Sequence, residues 1–484
     1  MVQLSTFFIK EPQLIFGNNN KCEESKGGLF LYGPYGKYSG GEPTPIVADV
    51  GIVGTSKSIS ATTNFFNHIR NHIPAASVGG IHFPGLGVEG KLHFDIKFDE
   101  QWQELISTSD ISEFKQIEKR EDRIDYFLEL IERKIKSIHS KQPNPTLTIC
   151  ALPLEMIRML KTPEQKGYHI TVTHRRFGKE GATAQQLKGD YDLHNIIKVF
   201  GIKYEMPTQL LLPHTLDITR VREVQDLATR AWNISMALYY KAKGIPWKIA
   251  QLEPGTCYAG ISFYRELDDE GQPSMRASIA HLFLHTGECL VLTGEPFRWE
   301  ESRTSPSLTE EQAQSIRTQL VEAYRSTHDQ EPSRLVIYKK SIFSSEEKNG
   351  FLNGNDSVRQ VDLLTVKSSS IDWYRNGKWP ILRNTVIKCP GQEYFIFTLG
   401  FIQEMQTFPK PGIPIPIRVQ VANLDSSETK MCKEILALSK LNWNNTDFSD
   451  QFPVTLSVSK TISEILSEAR AREIKPTNQY RYYM

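Results

Sequence analysis

The hydrophobic pattern of this chain changes near its middle, and that change limits the folds open to the sequence. In the first half of the 484 residues, short apolar runs alternate with segments of helical periodicity. Strands that alternate with helices predict a parallel, Rossmann-like sheet and therefore an α/β domain. The predicted elements are strands at 45–53 and 146–151 and helices at 58–72, 117–139 and 222–243.

The second half begins with three strand-like runs joined by short turns, which predict an antiparallel meander. A helix and two buried strands come next, and this order indicates a ribonuclease H-like (RNase H-like) fold. The three runs lie at 256–264, 277–284 and 289–292, the helix at 309–328, and the two strands at 334–338 and 360–366.

These patterns divide the chain into three segments. Residues 1–45 contain two predicted strands, at 13–16 and 28–32, and are expected to pack with the last segment. Residues 46–248 are predicted to form the Rossmann-like domain, and residues 249–484 the RNase H-like domain.

Composition argues against several protein classes. No apolar run reaches the roughly 18 residues of a membrane-spanning helix, and the N-terminus lacks the basic and apolar regions of a secretion signal. The six cysteines have no C-x-x-C spacing, which favours a reducing cytoplasm over a zinc site or a disulfide framework. The net charge of +1 is low for a protein that coats DNA, although acidic surface elsewhere can offset a positive groove.

Four polar residues near the end of the first half form the pattern that carries chemistry. His194 and Lys198 share a helical face because they lie four positions apart. Gln209 follows in a Met-Pro-Thr-Gln-Leu run, and Lys241 begins a Lys-Ala-Lys-Gly-Ile-Pro-Trp run. Taken singly, each residue is typical of a solvated surface. Together they resemble the guide-phosphate pocket of the MID domain of Argonaute proteins.

The resemblance implies a role for each of these residues. Lys198 and Lys241 would bind the terminal phosphate of a guide strand, and Gln209 would donate a hydrogen bond to it. His194 would stack on the first base or contact the phosphate. One departure is Ala237, where many relatives have a second lysine one turn before Lys241. Either Lys243 or a metal ion would have to compensate.

The resemblance continues to the last residues of the chain. Residues 480–484 are similar to the apolar segment that lies beside the guide phosphate in Argonaute proteins. The terminal carboxylate of Met484 would then help to hold a divalent cation, expected to be Mg²⁺, at the phosphate. The segments at 256–263 and 441–456 resemble the first and last parts of a PIWI domain, with a strand expected at 452–456.

The residues at the expected cutting site do not have the required chemistry. Active PIWI domains hold two metal ions with clustered carboxylates, but the resemblance places Ser262, Lys340 and Lys460 at those positions. Serine carries no charge, and lysine repels a cation. The resemblance therefore implies a PIWI domain that does not cut.

Basic residues near that position are candidates for contact with the nucleic-acid backbone. Lys340 is one, because a lysine can bind a phosphate without reading sequence. Arg375, Lys378 and Arg383 lie close together in the sequence and are the others. A basic hairpin that faces solvent is an equally good interpretation of this second group.

The length of the chain leaves no room for the N-terminal and PAZ domains of a long Argonaute, so the resemblance is to short prokaryotic Argonautes. It implies a cytoplasmic protein of antiphage or plasmid defence that holds a guide RNA and recognises a single-stranded DNA target. The implied partner is a separate APAZ-containing effector, with a TIR or sirtuin-type NAD-consuming domain or a nuclease. The two would form a heterodimer that oligomerises on activation, with no membrane partner.

Two other functions remain open from the sequence. The chain could be a guided nuclease with an atypical metal site built from carboxylates such as Glu288 or Asp362. It could also bind a nucleotide through residues 51–58, where Lys57 lies in a glycine-containing turn. The spacing of that turn does not match a phosphate-binding loop, which favours an ordinary connection from strand to helix.

Overall fold

The computed structural model shows an α/β architecture built around two main sheets. None of the helices in its described ranges has the length and hydropathy that a membrane crossing requires. It describes residues 4–36, 44–76, 80–161, 171–173, 190–219, 225–267, 273–282, 289–297, 306–377, 380–403, 405–408 and 413–484.

The N-terminal segment contains a helix where the sequence predicts a strand at 28–32. Gly28 packs so closely on Phe16 that a Cβ atom there would lie 2.1 Å from the ring, and Glu24 caps the helix by accepting a hydrogen bond from the Gly27 amide. A short apolar run cannot distinguish the two structures by periodicity, which explains the error. The elements of this segment are β1 (Ser5–Phe8), β2 (Leu14–Ile15), β3 (Lys21–Cys22) and α1 (Ser25–Tyr32).

The next part of the chain forms a four-stranded parallel sheet with helices on both faces. Its elements are β4 (Ile46–Gly54), α2 (Ser56–Ile69), β5 (Phe94–Leu105), α3 (Thr108–Gln116), α4 (Arg120–His139), β6 (Leu147–Ala151), α5 (Leu154–Leu160), β7 (Thr171–Thr173), β8 (Asp190–Asp192), α6 (Leu193–Lys203), β9 (Thr208–Leu211), α7 (Pro213–Leu216) and α8 (Leu227–Lys241).

The strand order in this sheet is β5-β4-β6-β9, and every pair is parallel. Helices α4, α5 and α6 bury their apolar faces in one cluster, while α2 and α8 belong to the larger core. β6 is buried along its whole length, as expected for a strand covered on both faces. This arrangement has the Rossmann-like character that the sequence predicts.

The remainder of the chain builds the larger sheet. Its elements are β10 (Lys248–Ile249), β11 (Thr256–Leu267), β12 (Pro273–Leu282), β13 (Cys289–Phe297), α9 (Glu310–His328), β14 (Arg334–Lys339), α10 (Ser345–Leu352), β15 (Gln360–Ser368), β16 (Thr385–Cys389), β17 (Glu393–Ile396), β18 (Ile417–Asn423), α11 (Glu428–Leu438) and α12 (Val454–Ala471).

This larger sheet has nine strands in the order β1-β16-β17-β18-β15-β14-β11-β12-β13. β10 lies outside it and pairs with β2 in a three-stranded sheet with β3, and β7 pairs only with β8 among the described strands. The meander β11–β12–β13 is antiparallel, and β14 and β15 run parallel to β11. These five strands have the RNase H-like order that the sequence predicts. β1 comes from the N-terminal segment and pairs with β16 at the edge of the sheet.

The expected strand at 452–456 is the start of helix α12 instead. Pro453 stands at its N-cap, where the absence of a backbone N–H costs nothing because the first amides of a helix have no partner within it. Apolar residues then recur with helical spacing at Val458, Ile462 and Ile465. α12 packs across β11, where a Cβ atom on Gly260 would lie 2.1 Å from the carbonyl oxygen of Thr455.

Candidate functional site

Three elements bring together the four residues of the predicted phosphate pocket. Asp192 caps α6 by accepting a hydrogen bond from the His194 amide at 2.9 Å, and this fixes the start of the helix. His194 and Lys198 lie one turn apart on α6. Gln209 lies on the neighbouring strand β9, and Lys241 is the last residue of α8.

Direct contacts join these side chains. The Lys241 ammonium donates a hydrogen bond to Gln209 Oε1, and the Lys198 ammonium donates one to the Thr208 carbonyl oxygen. Lys198 and Lys241 are 0% and 1% exposed, so both ammonium groups are removed from solvent. In the described part of the chain, neither forms an ion pair with a carboxylate.

The pKa values of the pocket residues indicate that the positive charge of the two lysines is not balanced by negative charge among the described residues. Burial lowers the pKa of Lys198 to about 8, and burial with the adjacent charge of Lys198 lowers the pKa of Lys241 well below its ordinary value. Burial and the charge of Lys198 also lower the pKa of His194 to about 4. Buried cations without a counter-charge are costly, so the cluster suits an anion with more than one negative charge.

Replacement of Lys198 by methionine is expected to stabilise the protein in the absence of an anion. The fall in its pKa from 10.5 to about 8 means that burying the charged ammonium costs about 3 kcal/mol of folding free energy. This cost is fully present below pH 8 and is relieved as the pH rises above 8. The lost charge-assisted hydrogen bond to Thr208 costs about 1.5–3 kcal/mol. Thermal unfolding at pH 7 should therefore show a net gain of up to about 1.5 kcal/mol.

The matched control for that variant is Lys203→Met. Lys203 lies on the same helix but is exposed and paired with Glu132, so its loss should change stability by less than about 0.5 kcal/mol. If Lys198→Met unfolds more easily than the wild type, the buried lysine contributes to the stability of the fold and is not held there for anion binding.

The last residues of the chain pack against the two helices that carry His194, Lys198 and Lys241. A short helical turn, Tyr480–Tyr482, packs against α6 and α8. The Tyr482 hydroxyl donates to the Glu205 carbonyl oxygen at 3.0 Å, and Met484 is 4% exposed. Ala237 is buried on α8, whereas Lys243 is exposed beyond the helix end. The proposed metal contact of the Met484 carboxylate stays a prediction.

The three positions aligned with metal-binding carboxylates are also neighbours. β11 and β14 pair in parallel with Ile261 opposite Lys339, so Ser262 and Lys340 follow next to each other. The Ser262 hydroxyl donates to the Ser459 carbonyl oxygen at 2.7 Å, which places Ser262 beside Lys460 on α12. Within the described ranges, no group of three or more His, Cys, Asp or Glu residues is arranged to hold a metal ion.

Asp362, the alternative catalytic carboxylate, is already engaged in a buried network. It forms an ion pair with Arg334 and accepts hydrogen bonds from the Ser426 hydroxyl at 2.6 Å and the Asp425 amide at 2.8 Å. In the sheet, Asp362 lies opposite Val336 near the start of β14, whereas Lys340 follows the end of that strand. Asp362 is therefore not at the position of Lys340. The other alternative, Glu288, lies outside the described residues.

The turn from β4 to α2 has the geometry of an ordinary strand-to-helix connection. Thr55 caps α2 by accepting a hydrogen bond from the Ser58 amide at 3.2 Å. Gly51 lies within the strand, where a Cβ atom would be 2.8 Å from Ile138. Close packing of α4 on the sheet explains this glycine, without any need for a bound phosphate.

The predicted backbone-binding arginines lie in different environments. Arg375 is exposed, and Lys378 lies outside the described residues. Arg383 is 2% exposed and forms an ion pair with Glu11 at 3.0 Å. The prediction that Arg383 contacts nucleic acid is therefore wrong, because its guanidinium holds the N-terminal segment against the larger sheet.

One contact of Lys340 was missed from the sequence. Lys340 Nζ lies 4.8 Å from the centre of the Phe452 ring, which is a cation–π contact. The two residues are far apart in the chain, and their proximity depends on how α12 crosses the sheet. The only sequence signal is an aromatic residue immediately before Pro453.

Comparison with solved structures identifies the fold. The chain is similar to Clostridium butyricum Argonaute bound to a guide DNA and a 19-mer target DNA, with 15% identity, a TM-score of 0.63 and coverage of 99% of this chain and 54% of the other. For Drosophila Piwi the values are 12%, 0.60, 99% and 56%. For Aquifex aeolicus Argonaute they are 15%, 0.56, 98% and 55%.

The chain thus spans about half the length of the solved structures that it matches. No protein-family model matches the sequence. No curated protein matches it by sequence either. The structural matches confirm the predicted α/β architecture of a Rossmann-like and an RNase H-like domain, and they show an Argonaute-type fold.

Proposed function

We propose that this chain holds a nucleic-acid guide strand by its 5′-phosphate in the pocket of His194, Lys198, Gln209 and Lys241. The observation that carries the proposal is the pair of fully buried lysines without a carboxylate in the described residues. A terminal phosphate has close to two negative charges at neutral pH and would balance both ammonium groups. The Argonaute-type fold supports this assignment.

The bound guide would recognise a complementary strand by base pairing, while the protein contacts backbone and shape. Clostridium butyricum Argonaute is bound to both a guide and a target strand, which supports the same arrangement here. We expect no cleavage of the target, because Ser262, Lys340 and Lys460 offer no carboxylate for a two-metal site.

We further propose that the chain is a short prokaryotic Argonaute of the cytoplasm, which uses an RNA guide and recognises a single-stranded DNA target. The chain would act with an APAZ-containing effector that carries a TIR, sirtuin-type or nuclease domain, in a defence system against phages or plasmids. Target binding would activate that effector by favouring one state of the complex over another. The resemblance of the sequence supports these assignments.

Mg²⁺ has a limited place in this proposal. The donors in the pocket are two lysines and an amide, and this set attracts an anion and repels a cation. A metal ion would therefore bind together with the phosphate and contact the terminal carboxylate of Met484. Its chemistry there would be to offset the negative charge of the terminal carboxylate beside the phosphate.

The direct test compares two guide RNAs of the same sequence, one with a 5′-phosphate and one with a 5′-hydroxyl. We expect the phosphorylated guide to bind at least about tenfold more tightly, the lower limit for one charge-assisted hydrogen bond. Addition of a complementary DNA target with Mg²⁺ or Mn²⁺ should yield a stable complex and no cleaved product. Equal binding of the two guides would refute the pocket, and guided cleavage would refute the inactive PIWI domain.

The affinity for a phosphorylated guide is expected to depend on pH. The phosphate would keep Lys198 protonated, so binding should weaken as the pH rises above about 8, where free Lys198 loses its proton. Linkage of one proton gives a loss of about tenfold per pH unit. Below about pH 6 the phosphate itself gains a proton and binding weakens again.

The measurement for this pH dependence is the ratio of affinities for the phosphorylated and hydroxyl guides between pH 5 and pH 9. The hydroxyl guide is the internal control for general effects on the protein. A ratio that stays constant above pH 8 would show that the Lys198 proton is not linked to phosphate binding.

A further inference from the structure

A small cavity lies where the N-terminal segment meets the start of the larger sheet. It measures about 230 Å³, less than the roughly 300–1,000 Å³ of pockets for drug-sized ligands. Its walls come from β2, β10, the turn after β10, the start of β11 and α9, whereas the phosphate pocket is built by α6, β9 and α8. Thr256 of the cavity pairs with Arg334 at the start of β14, while Ser262 and Lys340 follow the other end of that pairing. The cavity is therefore a different site from both of those described above.

A lysine of β10 lines this cavity without a counter-charge. Lys248 Nζ lies 4.2 Å from the centre of the Tyr35 ring, a cation–π contact between two residues of the cavity wall. In the part of the chain that the structure describes, no carboxylate pairs with this ammonium. Burial lowers the pKa of Lys248 to about 8. The ammonium therefore lies partly out of water and lacks the anion that would offset the cost of its burial.

The neighbouring charged and backbone groups already have partners. Glu253, which also lines the cavity, pairs with Lys430 at 2.6 Å. The Gly255 amide donates a hydrogen bond to the Tyr324 hydroxyl at 3.1 Å. Lys248 is thus the charge on this cavity that remains to be balanced.

The lining determines which ligand the cavity suits. Ile15 and Leu252 contribute apolar surface, and Tyr35 and Tyr324 contribute aromatic rings, so the walls favour a small apolar or aromatic body. One ammonium balances one negative charge, while the Glu253 carboxylate would repel a second. The cavity therefore suits a carboxylate, which has one charge, better than a phosphate monoester, which has nearly two.

We propose that this cavity binds a small carboxylate with an apolar or aromatic body, and that the carboxylate pairs with the Lys248 ammonium. The apolar body would lie against Ile15 and Leu252. The ligand would contact the N-terminal segment, the connection at 248–256 and α9 together, so its binding would stabilise the junction between them. This inference does not depend on the proposed guide binding, because the two sites use different residues.

The test measures the binding of three probes to the full chain by ligand-observed NMR. Phenylacetate has a ring and a carboxylate, phenylacetamide has the ring without the charge, and acetate has the charge without the ring. We expect phenylacetate to bind with a Kd of about 1 mM or tighter, which about ten heavy atoms in a cavity allow. Phenylacetamide and acetate should each bind at least about tenfold more weakly, because the ion pair or the burial of the ring is lost.

The variant Lys248→Met should bind phenylacetate no more tightly than phenylacetamide, because it removes the ammonium and keeps most of the side-chain length. The matched control is Lys21→Met, which removes an exposed lysine from β3 in the same three-stranded sheet and should bind like the wild type. Cooperative thermal unfolding would show that both variants are folded. Phenylacetate should also protect Lys248, and not Lys21, from acetylation by acetic anhydride, which locates the ligand.

Three outcomes would overturn this inference. Equal affinities for phenylacetate and acetate would show that the apolar walls do not contribute to binding. Equal affinities of Lys248→Met and the wild type for phenylacetate would show that the ammonium does not hold the carboxylate. Phenylacetate that does not bind at about 10 mM, or that leaves Lys248 open to acetylation, would show that the cavity is not its site.

Discussion

Replacement of both Lys198 and Lys241 by alanine is expected to abolish the preference for a 5′-phosphorylated guide, with a loss of affinity of about a hundredfold or more. Each buried ammonium can form a charge-assisted hydrogen bond with the phosphate, and such a bond contributes about 1.5–3 kcal/mol. The effect should be larger than for surface lysines, because both side chains are removed from water. The measurement is the equilibrium affinity for the two guides, with Lys203→Ala as the control on the same helix.

A second variant keeps this prediction testable if the double alanine variant folds poorly. In Gln209→Glu, a carboxylate would replace the amide that accepts a hydrogen bond from Lys241. The new ion pair should stabilise the free protein while it repels the phosphate. We therefore expect a more stable protein with little phosphate preference. A Gln209→Glu protein that still prefers the phosphorylated guide would contradict the assignment of the pocket.

Replacement of Arg334 by methionine is expected to lower the free energy of unfolding by about 3–5 kcal/mol. Arg334 forms ion pairs with two buried carboxylates, those of Asp362 and Glu434. Loss of the guanidinium would leave both charges without a cation, which is the costly way to break a buried ion pair. Chemical unfolding followed by tryptophan fluorescence would measure the change.

The control for this effect is Arg325→Met, because Arg325 is exposed and its contact with Glu331 is 3.5 Å long. Its loss should change stability by less than about 0.5 kcal/mol. Asp362→Asn should destabilise the protein in the same direction as Arg334→Met. If Asp362→Asn unfolds like the wild type and removes a metal-dependent nuclease activity, Asp362 is a catalytic ligand and the inactive assignment is wrong.

Local spacing explains what the sequence could predict. His194 and Lys198 lie four positions apart on one helix, and the β11–β12–β13 meander is encoded by runs and turns that are neighbours in the chain. Such patterns depend on short-range geometry alone. The burial of Lys198 could not be predicted, because it depends on contacts with Thr208 on β9 and Lys241 at the end of α8.

Long-range contacts explain the errors. Arg383 looked like a surface cation because its counter-charge, Glu11, is 372 positions away in the chain. Residues 28–32 form a helix that is capped by Glu24 and packs Gly28 against Phe16, and periodicity reports neither contact. The start of α12 carries a proline and β-branched residues, and these are equally compatible with a strand at the edge of a sheet.

The pairing of β1 with β16 has a consequence for synthesis of the protein. Thr385 is the partner of Phe8, so about 380 residues separate the two strands. At about 5–20 residues per second, β1 would leave the ribosome roughly 20–75 s before its partner strand exists. During that interval the smaller sheet can fold, while the backbone N–H and C=O groups of β1 lack their partner strand and are open to chaperones or to pairing with a wrong strand. Slower translation should therefore reduce the yield of folded chain, and deletion of β1 should lessen that sensitivity.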